Sequence, residues 1–152
     1  YLMVGFGAAA LVAAVTLAGV RTEAARGRLL LWFGVLSGVA PVALAMSSNL
    51  PLAILAAAGM GFFQGGFMVL AQAMIQSIAP DAIRGRVMGV YNWHILGFMA
   101  SFNLVNGALA GMTALTAPII LGAGGIGFLV VITSSLARIP LRQLYARGVP
   151  AT

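Results

Sequence analysis

Charge is what this chain has least of. Of its 152 residues only 7% are charged, whereas 62% are apolar. An ordinary soluble domain is about 45–50% apolar and about 25% charged. So few charges cannot clothe a water-facing surface, which excludes a soluble globular enzyme. The same numbers exclude intrinsic disorder, because disordered chains are polar. Lysine is absent, and the only acids are Glu23 and Asp81, so the net charge of +6 rests on eight arginines. Those arginines are too few and too scattered to track a phosphate backbone, and no nucleic-acid partner is expected. Cysteine is missing too, which removes disulfides and thiolate metal sites. The class that remains is an integral membrane protein surrounded by lipid.

What is present in quantity is uncharged apolar sequence. Five segments reach the roughly 20 residues that a helix needs to cross the hydrocarbon layer. They run over 1–20, 29–47, 51–78, 87–110 and 117–137, and none contains Asp, Glu, Lys or Arg. No segment alternates in polarity as a barrel strand does, so the expected fold is all-α, with five transmembrane helices and a tail over 138–152. The connections divide by charge. Residues 21–28, residues 80–86 and the tail hold all eight arginines, whereas the connections near 48–50 and 111–116 hold no charge. The positive-inside rule assigns the arginine-bearing side to the cytoplasm. The protein is therefore expected in the cell (inner) membrane as a multi-pass protein with its basic loops and tail inside.

Turn residues agree with these limits. Asn49 and Pro51 suit a helix start, Thr116 and Pro118 repeat that pattern, and Pro140 is expected to stop the last span. Pro41 falls inside the second span and is expected to kink it. Glycine is frequent, at 20 residues, and forms four Gly-x-x-x-Gly pairs: 34/38, 61/65, 85/89 and 107/111. Small residues four apart share a helix face and let two backbones approach closely.

Polar groups within a span are expensive and are the first candidates for function. At about 100° per residue, Gln64, Met68 and Gln72 share one broad face of the third span. In the fourth span Asn92, Met99, Asn103 and Asn106 fall in one stripe by the same count. Three amides that donate and accept hydrogen bonds suit a cavity lining, with Met68 and Met99 as an adaptable apolar wall. The competing reading is hydrogen bonding to neighbouring helices. His94 is the only histidine, points away from the stripe, and is the one intramembrane group that titrates near neutrality. A proton relay and a packing role are both open to it. No nucleophile–base pair, metal cluster or phosphate loop occurs, so neither enzymatic activity nor a cofactor is expected.

The run Ala79-Pro-Asp-Ala-Ile-Arg-Gly-Arg-Val-Met-Gly-Val-Tyr91 resembles the loop between helices ten and eleven of major facilitator superfamily transporters. It is most similar to the branch typified by the enterobactin exporter. Arg26-Gly27-Arg28 echoes Arg84-Gly85-Arg86, and the 21–28 loop resembles the superfamily's signature loop in degenerate form.

The resemblance covers essentially the whole chain, as spans eight to twelve of a twelve-helix bundle, with spans two to six as the other assignment. It implies a C-terminal half fragment whose missing N-terminal half is a partner. It further implies alternating access and export of small, partly apolar molecules such as drugs or siderophores. Arg26, Arg28, Asp81, Arg84, Gly85 and Arg86 would then form the cytoplasmic gate and helix anchors. A lipid or lysolipid flippase and a non-transporting membrane scaffold subunit are the alternatives.

Overall fold

In the computed structural model the described residues are 1–20, 22–110 and 116–147. Arg21, Gly111 and the last residues of the tail lie outside them. Six helices follow one another: α1 (Leu2–Leu17), α2 (Glu23–Ala45), α3 (Leu50–Ile78), α4 (Arg84–Ala110), α5 (Thr116–Ser135) and α6 (Ile139–Arg147). Three stretches are long and apolar enough to cross a membrane: Ala24–Ala45, Leu50–Ile78 and Ala117–Ser135. The 16 residues of α1 rise about 24 Å, short of the roughly 30 Å of hydrocarbon. The 27 residues of α4 are long enough, but α4 is less apolar than α1, α2, α3 and α5.

Local chemistry explains the helix limits. Asn49, in extended conformation, accepts a hydrogen bond from the Leu52 amide at 3.0 Å, and Pro51 occupies the first turn of α3. That is the start expected from the sequence. Both Arg-Gly-Arg elements, placed by the sequence in loops, lie within helices, in the first two turns of α2 and the first turn of α4. Arginine is a good helix former, and a helix continues past the apolar segment as long as its backbone bonds are made. The uniform apolarity of α2 continues through Pro41, and no break interrupts the helix there.

The glycines order the bundle. A Cβ on Gly61 would fall on the backbone of Phe6, and one on Gly65 would lie 2.9 Å from the Ala10 methyl. Gly5 faces Ile54, so α1 and α3 run in parallel. Gly34 meets Ile132, Gly38 meets Leu129, and Gly122 meets Ala45, so α2 and α5 are antiparallel. Gly38 and Gly125 face each other with the Gly125 Cβ position 2.6 Å from the Gly38 carbonyl and 3.3 Å from Pro41. Two of the four glycine pairs are thus true packing faces. Gly85, Gly89 and Gly107 meet nothing within 4 Å.

The layer runs α1–α3–α2–α5, and α4 touches the rest only slightly. Ala13, Leu17, Leu30, Phe33, Leu70, Met74 and Tyr145 form the core cluster. Phe33, Phe62 and Phe63 pack around it with ring centroids 5.4–5.7 Å apart. This cluster joins the C-terminal ends of α1 and α3 to the start of α2. The arginine-bearing segments therefore gather at one end of the bundle.

The tail departs from expectation. Rather than stopping a helix, Pro140 sits in the first turn of α6, where its missing amide is harmless. Tyr145 is buried against the core cluster. Ser135 Oγ donates to the Ile132 carbonyl at 2.6 Å, which leaves it to accept from the Tyr145 hydroxyl at 3.1 Å. Tyr145→Phe is expected to cost about 1 kcal/mol, and Tyr145→Ala about 3 kcal/mol or more. Thermal unfolding in detergent checks both.

Candidate functional site

The candidate residues fall on three places. The first is α3. Gln64, Met68 and Gln72 are half-buried, and Gln76 is exposed. By helical rotation Met68 and Gln72 lie on the side where Gly61 and Gly65 receive α1, with Gln64 at its edge. Gln64 makes no side-chain hydrogen bond among the described residues.

The second place is α4. Asn92, Asn103 and Asn106 are exposed along one face, with Met99 between them at 47% exposure. None of the three amides has a hydrogen-bond partner among the described residues. Gly85, Gly89 and Gly107 fall on the same side by rotation, and each has open space where a side chain would stand. The helix meets its neighbours through half-buried Val87, Met88, Tyr91 and Ile95, a face that adjoins the stripe and overlaps its edge at Met88. Because α3 and α4 touch only slightly, the structure does not bring Gln64 and Met68 together with the asparagine stripe.

His94 lies on the far side of α4 from that stripe. Its ring packs on Phe98 with centroids 4.8 Å apart, and Phe98 stacks on Phe102 at 5.9 Å. It is exposed and has no ion-pair partner among the described residues.

The third place is the arginine-bearing end. Arg84 bridges the α3–α4 turn, pairing with Asp81 at 2.5 Å and reaching the Ala79 carbonyl at 3.4 Å. Arg26 Nε donates to the Val20 carbonyl at 3.0 Å, tying α2 to the end of α1, and Arg28 Nε reaches Ala24 at 3.4 Å. Arg86 and Gly85 are exposed. Arg26 and Arg84 thus hold the C-terminal ends of α1 and α3 by bonding carbonyls there, which the macrodipoles and unsatisfied C=O groups of those ends favour, whereas Arg28 bonds within the start of its own helix. Since Arg84 and Asp81 are 46% and 89% exposed, Asp81→Asn is expected to cost less than about 1 kcal/mol. A thermal melt in detergent checks this.

Sequence reasoning missed the contribution of Ser37, Ser135 and Tyr145. Ser37 is buried and donates back to the Phe33 carbonyl at 2.7 Å, so it is satisfied within its own helix. No group of three or more His, Asp or Glu side chains able to hold a metal occurs among the described residues. No protein-family description, curated protein or solved structure matches this chain.

Proposed function

We propose that the chain is the C-terminal part of a secondary active transporter of the major facilitator type. In this reading α1 to α5 are all membrane segments, α1 a short one, and the arginine-bearing end faces the cytoplasm. The substrate is a small, partly apolar molecule exported by alternating access, with the N-terminal half of the same protein closing the path. The observation that carries the reading is the exposed asparagine stripe of α4. Three unpartnered amides facing hydrocarbon are costly. They need either water or another polar surface, and a transport path with a second bundle across it supplies both. The run Ala79–Tyr91 supports the same assignment by resemblance. Arg84 with Asp81, and Arg26 and Arg28, then act as gate anchors at the cytoplasmic end.

The test is transport by the full-length protein in proteoliposomes, using a fluorescent apolar dye and an imposed proton gradient. Gradient-dependent dye movement is the expected result. Movement of labelled lipid between leaflets without dye movement would favour a flippase. Under the proposal Asp81→Asn slows dye transport while leaving the amount of protein in the membrane unchanged.

A further inference from the structure

An open cleft of about 340 Å³ lies where α5 meets α6, lined by Val130, Val131, Ser134, Ser135, Arg138 and Leu141. Its chemistry is graded along α5. Val130 and Val131 are 57% and 65% exposed and give it an apolar wall. Beyond the end of α5, past the turn at 136–137, comes Arg138, which is exposed and whose side chain has no hydrogen bond or ion pair among the described residues. Ser134 lies between them, and its hydroxyl also has no partner among the described residues. Arg138 is followed directly by α6, whose first turn leaves backbone amides without intrahelical partners.

Among the described residues Arg138 has no ion-pair partner. Residues 87–152 contain Arg138, Arg142 and Arg147 but no acid. Asp81 is taken by Arg84. An apolar wall leading out of the membrane span to a free arginine and a free hydroxyl complements one class of molecule. It matches an acyl chain joined to a phosphate.

We propose that the α5–α6 cleft binds an anionic phospholipid, with its phosphate at Arg138 and Ser134 and an acyl chain against Val130, Val131 and Leu141. The site rests on α5 lying in the membrane and is independent of what the protein transports. The lipid ties α6 to the bilayer surface and so holds the tail against the bundle end, where Tyr145 is already anchored.

The experiment is native mass spectrometry of the full-length protein in detergent, titrated separately with phosphatidylglycerol and phosphatidylcholine. The expected result is one retained phosphatidylglycerol per chain, in preference to phosphatidylcholine. Arg138→Gln is expected to weaken retention about fivefold, the effect of one interfacial basic residue, and Arg138→Lys to restore most of it. Arg142→Gln, outside the cleft, is expected to change it less. Equal retention of both lipids, or no effect of Arg138→Gln, would overturn the proposal. So would competition by inorganic phosphate alone, which would mark a free-anion site instead. Release of the protein from membranes by alkaline carbonate would remove the membrane premise itself, and it is read separately from lipid selectivity.

Discussion

Gly61→Leu will force α1 away from α3 and destabilise the protein by about 3 kcal/mol or more, the upper range for overpacking. The reason lies in what the new side chain would meet. A single Cβ at this position already lands on the carbonyl, carbonyl carbon and Cα of Phe6. Those are backbone atoms of a helix and cannot rotate aside as a side chain can. The whole of α1 would have to translate, which would also open the contact at Gly65 and Ala10. Gly65→Ala is expected to be milder, about 1–2 kcal/mol, because the nearest atoms, the Ala10 methyl at 2.9 Å and Cα at 3.1 Å, stand further off than Phe6 does from Gly61, although both are fixed to the backbone and α1 must still shift slightly. Gly89→Leu supplies the control. Open space surrounds Gly89, and replacing a helical glycine by leucine gains a few tenths to about 1 kcal/mol in propensity. The midpoint of denaturation in mixed micelles ranks the three variants. A Gly61→Leu protein as stable as the parent would show that α1 does not sit on α3 as described.

Asn103→Leu will leave membrane insertion intact and lower transport about three- to tenfold, the equivalent of one lost hydrogen bond. The substitution makes α4 more apolar, so insertion cannot suffer. Asn103 is exposed and has no partner among the described residues, so the bundle loses no internal bond either. What disappears is one of three amides on the stripe with Asn92 and Asn106. If that stripe faces the transported molecule, affinity falls. Leu104→Asn offers the inverse case, since Leu104 is 77% exposed on another side of α4, where an amide would face lipid. It is expected to reduce insertion or stability rather than to change substrate affinity. Initial rates of dye transport, corrected for protein in the vesicles, check both. An Asn103→Leu rate equal to that of the parent would remove the stripe from the transport path.

The helical segments were legible because length and lack of charge alone define them. The cap at Asn49 and the proline beside it were legible for local reasons, through one side-chain oxygen and one missing amide. The glycine pairs were legible only as a class. Nothing in the sequence distinguishes Gly61 and Gly65, which receive α1, from Gly85 and Gly89, which receive nothing. Helices that are apolar all round carry no periodicity to say which side is packed. The clustering of Asn92, Asn103 and Asn106 on one side was legible by rotation. Their separation from Gln64 was not, because it depends on how little α4 touches α3. The helix α6 was hidden by Pro140 and the arginines around it. The signal that marks it is the spacing of Leu141 and Tyr145, one turn apart, with Arg142 directed elsewhere.

The central claim is that the asparagine stripe of α4 faces a water-filled path within the membrane. Residues 1–152 contain no cysteine, so with any cysteine in the rest of the full-length protein replaced by serine one measurement is direct. Asn103→Cys, Asn106→Cys and Leu104→Cys are introduced singly into the full-length protein and exposed in intact cells to a membrane-impermeant thiol reagent. Labelling at 103 and 106, protection by a transported molecule, and no labelling at 104 are expected. Equal silence at all three positions, or labelling at 104 alone, would contradict the claim.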